Sequence, residues 1–111
     1  MQRDLLKVLR QKNVLVSDGA WGTLLQQRGL TGRDCPEQWT LERPDAVQDV
    51  AATYVRAGAD AVETNSFGGN RVMLERHGLG DLAPRINREA AALSRRAAGE
   101  DSINVTTDAA A

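Results

Sequence analysis

Short apolar runs and helix-forming stretches alternate along this chain, and that alternation restricts its fold more than any other feature. Val14-Leu15-Val16 is a partly β-branched run that stops at Ser17-Asp18-Gly19, the pattern of a buried strand ending in a loop. Asp60-Ala61-Val62-Glu63-Thr64-Asn65 repeats the pattern and ends in Ser66-Phe67-Gly68-Gly69. Ile103-Asn104-Val105-Thr106 supplies a third run. Between the runs the apolar period becomes that of a helix. Pro44 opens the clearest case: its fixed φ suits a first helical position, and Asp45 sits at the positive end of the dipole. Ala46, Val47, Val50, Ala51, Tyr54 and Val55 then form one apolar stripe, which Gly58 closes. The spacing predicts further helices over about 3–11, 22–28 and 70–77, and one from Pro84 to Gly99. Residues 30–43 show no period and read as an extended loop. Structureless connections beyond about 12–15 residues are uncommon, so its length alone makes it a candidate functional loop.

Strand, helix, strand, helix, strand is the order of an α/β fold with a parallel sheet and crossover helices. Parallel strands need cover on both faces. Two or three βα units cannot supply it, so the count of elements points to an incomplete fold. The 111 residues carry a formal net charge of −1, with 41% hydrophobic and 26% charged positions, as in one small soluble domain. Acidic and basic residues are interspersed, which leaves no electrostatic footprint for nucleic acid. No apolar run approaches the roughly 20 residues needed to cross a bilayer. Met1-Gln2-Arg3-Asp4 and the residues after it lack the apolar core of a secretory signal. The single cysteine, Cys35, excludes an internal disulfide and any metal site built from cysteines of this chain alone. A cytoplasmic setting is expected.

In parallel α/β folds ligands gather at the carboxyl ends of the strands. The first such end is Asp18-Gly19-Ala20-Trp21-Gly22-Thr23. Gly19 and Gly22 let backbone approach a ligand closely, free N–H groups there suit a carboxylate, and Asp18 suits an ammonium. Together they fit an α-amino acid; a simple capped turn fits the same residues. At the second end, Glu63 and Asn65 alternate onto one face of the strand and Thr64 onto the other. Three polar residues running into a double glycine are compatible with either a functional or a structural role. His77 reads as a surface histidine at a helix end, Cys35 as an incidental thiol, and Trp21 and Trp39 as pocket-lining or packing residues. Neither a phosphate-binding loop nor a dinucleotide fingerprint is present.

Leu15-Val16-Ser17-Asp18-Gly19-Ala20-Trp21-Gly22-Thr23 resembles the opening strand and turn of the homocysteine S-methyltransferase family. The likeness continues, in order and at the expected spacing, through Pro44-Asp45, Ala57-Gly58-Ala59-Asp60, Glu63 to Gly68, and Ile86-Asn87, covering about residues 10–100. The resemblance implies the N-terminal βα units of a (βα)8 TIM barrel, incomplete in this chain. It implies a parent enzyme that uses zinc to bind homocysteine as a thiolate, which then attacks an activated methyl group to give methionine, with cobalamin as the methyl carrier in one branch. Zinc would deprotonate a thiol whose ordinary pKa lies near 8.5. By the same resemblance Asp18 holds the substrate amino group, the Gly19 and Ala20 backbone cradles its carboxylate, and Asn65, Ser66 and Phe67 line the same pocket.

The family's zinc ligands are cysteines on later strands, and Cys35 lies in the wrong part of the fold to replace one. No catalytic residue and no metal ligand is therefore assigned to this chain. Residues 101–111 do not match the glycine-rich loop that follows the family's third strand, and read as a divergent or truncated tail. The expectation is a partial homocysteine-binding domain, inactive alone, whose methyl donor the sequence does not name. The alternative is a non-catalytic half-barrel that self-associates or pairs with a partner supplying the missing strands.

Overall fold

The computed structural model describes residues 4–99 and the backbone of 103–105. Helix α1 spans Leu5–Lys12. The Asp4 carboxylate caps it, accepting the Leu6 and Lys7 N–H groups at 2.9 and 3.2 Å. Asn13 ends it in the left-handed region at φ 63°. The chain then runs alongside β1 (Ala61–Glu63). Here the expected first strand is reduced to one parallel bridge, Ser17 to Ala61. The Asp60 carboxylate occupies the Val16 N–H at 3.1 Å and also takes the Lys12 ammonium at 2.6 Å. Val14 and Val16 stay 67% and 58% exposed. With apolar side chains in water and, among the described residues, only β1 beside it, this run has little to hold it as regular strand.

Helix α2 covers Gly22–Gln27 and buries Leu25. Residues 30–43 depart from the expected loop. A 3-10 turn over Pro36–Gln38 leads into α3, Trp39–Glu42, and Cys35, Glu37, Trp39 and Thr40 are all buried. These turns are too short to imprint a 3.6-residue period on the sequence. Packing, not local propensity, makes them helical. Helix α4, Pro44–Arg56, follows the sequence closely, with Val47, Val50 and Ala51 fully buried. Gly58 reverses the chain at φ +102°, a conformation that a side chain would strain.

Strand β1 pairs in parallel with β2 (Ile103–Val105), Ala61 opposite Ile103 and Glu63 opposite Val105. The third expected run is thus strand over 103–105, while the rest of the tail, 101–102 and 106–111, lies outside the described residues. Between β1 and β2 come α5 (Arg71–Glu75), a 3-10 turn at Gly80–Leu82 and α6 (Ala83–Ala98). Leu25, Leu30, Trp39, Val47, Val50 and Leu93 form the largest core cluster, joining α2, α3, α4 and α6. Val62 seals β1 against Ala59 and Ala98. Cys35, Leu74 and Ile86 make a separate cluster below the loop that leaves β1. His77 is exposed, as its position at a helix end implies. No helix among the described residues is long and apolar enough to cross a membrane.

Candidate functional site

The carboxyl end of β1 and the turn after Ser17 meet around a cavity of about 360 Å³. That volume lies at the small end of ligand pockets. Gly19, Ala20 and Trp21 form one wall, and Glu63, Asn65 and Phe67 contribute to the other. Glu63 and Asn65 both face it, as strand alternation requires, while Thr64 is buried on the opposite side. Gly22, Leu25, Pro36 and Glu37 complete the lining.

Asp18 is the electrostatic centre of the first wall. Its Oδ2 accepts the Trp21 indole N–H at 2.6 Å and the Glu63 backbone N–H at 2.9 Å. The Ser17 hydroxyl donates to Oδ1 at 2.9 Å. No side chain caps α2, so Asp18 is not the helix cap that a bare turn would use. It joins the first turn to β1 from just behind the cavity lining. The N–H groups of Gly19 and Ala20 meet no protein acceptor among the described residues. The Ala20 carbonyl accepts the Tyr54 hydroxyl at 2.5 Å, and burial, then the Asp18 charge, raise the Tyr54 phenol above its ordinary pKa.

The second wall contains a carboxylate under strain. Partial burial, and secondarily the Asp18 charge, raise the Glu63 carboxyl above its ordinary value of 4.5. Among the described residues no Lys, Arg or His lines the cavity. A ligand carboxylate there has only backbone N–H groups to meet, whereas a ligand ammonium has the Glu63 carboxylate on the wall and the Asp18 charge behind it.

Of the six residues singled out from the sequence, Gly19, Ala20, Asn65 and Phe67 line the cavity. Asp18 touches two of its lining residues, Trp21 and Glu63. Ser66 does not line it: fully buried beneath the loop, its hydroxyl pairs with Thr64 at 2.5 Å. Asn65 presents its amide nitrogen away from any ligand, donating to the Pro36 carbonyl at 2.8 Å and the Thr40 hydroxyl at 3.1 Å. Sequence reasoning missed Pro36 and Glu37. The one signal was the length of the 30–43 segment, which marks a loop but not a residue. Among the described residues no three His, Cys, Asp or Glu side chains come together to hold a metal. Cys35 is buried at 4% exposure and its thiol points to Glu37, so the described residues do not fit a zinc site.

Known proteins resemble this chain in sequence and in fold. Methionine synthase from Mycobacterium tuberculosis is 42% identical over 103 residues, spanning 87% of this chain and 9% of that protein. Methionine synthase from Mycobacterium leprae is 39% identical, spanning 87% and 8%. Among solved structures, the oxidized form of the homocysteine methyltransferase MmuM from Escherichia coli superposes with a TM-score of 0.71 at 28% identity. That alignment covers 86% of this chain and 34% of MmuM. The metallated form gives a TM-score of 0.76 at 24% identity, over 92% and 40%, a likeness of fold. The chain therefore spans less than a tenth of the methionine synthases and well under half of MmuM. The family described as homocysteine S-methyltransferase matches residues 15–108, most of the sequence, and the chain belongs to that family.

Proposed function

We propose that this chain supplies the first βα units of a (βα)8 barrel, cytoplasmic in setting, and there grips the amino-acid end of homocysteine. The observation that carries the reading is the cavity itself. Backbone N–H groups of Gly19 and Ala20 stand without protein acceptors on one wall, and a carboxylate held above its ordinary pKa stands on the other. The substrate carboxylate meets those N–H groups. Its ammonium meets Glu63, with the Asp18 charge just behind, and a cation there relieves the repulsion between the two carboxylates. In a longer protein, zinc on later strands would supply activation of the sulfur, and a corrinoid or another donor the methyl group; neither enters the chemistry of the residues described here. These bind and orient.

The test is calorimetric titration of the purified chain with L-homocysteine, L-methionine and 4-mercaptobutyrate. With recognition confined to the amino-acid end, homocysteine and methionine bind within about threefold of each other, and the amine-free acid binds at least about tenfold more weakly. Equal binding of the amine-free acid would overturn the reading.

A second reading, a non-catalytic half-barrel that associates with a copy of itself or a partner, has its own observation. Leu5, Leu6 and Leu9 on α1, with Val14 and Val16, are 41–67% exposed, and large exposed apolar surface marks an interaction site. Light scattering separates the two readings: a mass that rises with concentration belongs to the second.

A further inference from the structure

Glu37 is a buried carboxylate with no part in the grip described above. It is 8% exposed, yet it lines the cavity. Burying a carboxylate is costly unless its oxygens find donors. Here Oε2 accepts the Gly68 N–H at 3.2 Å, and Oε1 accepts the Cys35 thiol at 3.6 Å. Gly68 is what lets the carboxylate come this close: a Cβ there would lie 3.2 Å from Oε1 and 3.4 Å from Cδ. The same turn is fastened at two further points. Asn65 donates to Pro36 and Thr40, and Asn87 donates to the Gly69 carbonyl at 2.6 Å. Between these fastenings the Phe67 side chain is 87% exposed at the cavity, with no packing of its own to hold it.

We propose that Glu37 is a positioning residue of the ligand cavity, holding the Gly68 N–H so that the Asn65–Phe67 wall stands formed before ligand arrives. The proposal rests on the reading that the cavity takes an amino acid. What matters is the hydrogen bond, not the charge. A preformed wall spares the ligand the cost of ordering it. Glutamine at this position keeps an acceptor for Gly68 and turns its amide toward the Cys35 sulfur, so it can stand in for the carboxylate; alanine cannot.

The experiment compares wild type, Glu37→Gln, Glu37→Ala and Gly68→Ala by amide hydrogen exchange and by titration with L-homocysteine. Glu37→Ala is expected to speed exchange at Gly68 about tenfold or more and to weaken binding about tenfold. The Val50 amide in the α4–α6 core should exchange at an unchanged rate, which separates a loosened wall from a failing fold. Glu37→Gln should restore both readings to within about threefold of wild type. Gly68→Ala, which crowds the carboxylate while leaving it in place, should reproduce the alanine result and covers the case in which Glu37→Ala fails to fold. Unchanged Gly68 exchange in both Glu37→Ala and Gly68→Ala would overturn the proposal. So would Glu37→Gln binding as weakly as Glu37→Ala with Gly68 still protected, since the charge would then be what the ligand needs. If the wild-type chain binds no amino acid, the functional reading fails, while the exchange rates still decide whether Glu37 holds the wall.

Discussion

The two walls of the cavity are built to different standards. The turn from Ser17 to Gly22 reaches β1 through a single bridge and the Asp18 carboxylate, and its Gly19 and Ala20 are exposed. The turn from Asn65 to Gly69 is stitched by Glu37, Asn65 and Asn87 and rests on the Cys35, Leu74 and Ile86 cluster. One wall offers unsatisfied donors and can adjust to a ligand. The other is fixed by its own hydrogen bonds and offers shape. A site assembled this way spends its ordering cost on one side in advance and leaves the recognising groups on the other.

The largest expected effect probes the footing of the fixed wall. Leu74 is fully buried, so Leu74→Ala should cost about 2–5 kcal/mol in urea unfolding, from lost burial and the cavity left behind. Val16→Ala, at an exposed site under the open wall, should stay within about 0.5 kcal/mol. Equal losses at the two positions would erase the contrast.

A smaller effect concerns the charges that join the walls. Asp18→Asn keeps an oxygen for the Trp21 indole and the Glu63 N–H but removes the repulsion on Glu63. The Glu63 carboxyl should then titrate lower than in wild type, yet still above its ordinary value, because burial is the larger cause of its shift. Carbon-detected NMR of the side-chain carboxyl reads this directly. The pH dependence has a definite sign. A folded pKa above the unfolded one means that Glu63 contributes stability in full below about 4.5, and that the contribution is lost as pH rises through the raised value. An ammonium ligand favours the ionised form, so binding in the window just above 4.5 should release protons to the buffer. Titration in two buffers of different ionisation enthalpy detects the release, and a buffer-independent heat would contradict it.

How much of this was legible in the sequence follows from how locally each feature is encoded. The Pro44–Arg56 helix carries its start, its stripe and its stop within its own residues, and the structure matches it. The polar ends of the two strand-like runs are equally local, and four of the six residues picked from them line the cavity. The run at Val14–Val16 is apolar and partly β-branched, which is the local pattern of a strand, but strand formation needs neighbours, and the Asp60 carboxylate took the place of one. Glu37 was invisible for the opposite reason. Nothing in Cys35-Pro36-Glu37-Gln38 announces that its carboxylate meets the backbone of Gly68, 31 positions away. Asn65 lines the cavity, as its place on the strand implies, while its amide nitrogen is spent on the neighbouring turn.

The division of labour between the walls is tested most directly by following the backbone amides of the isotopically labelled chain through a titration with L-homocysteine. Saturable shifts concentrated at Gly19, Ala20 and Glu63, with Gly68 and Gly69 nearly still, are expected of an adaptable donor wall facing a fixed one. Shifts confined to the Gly68–Gly69 turn, or none at saturating ligand, would contradict it.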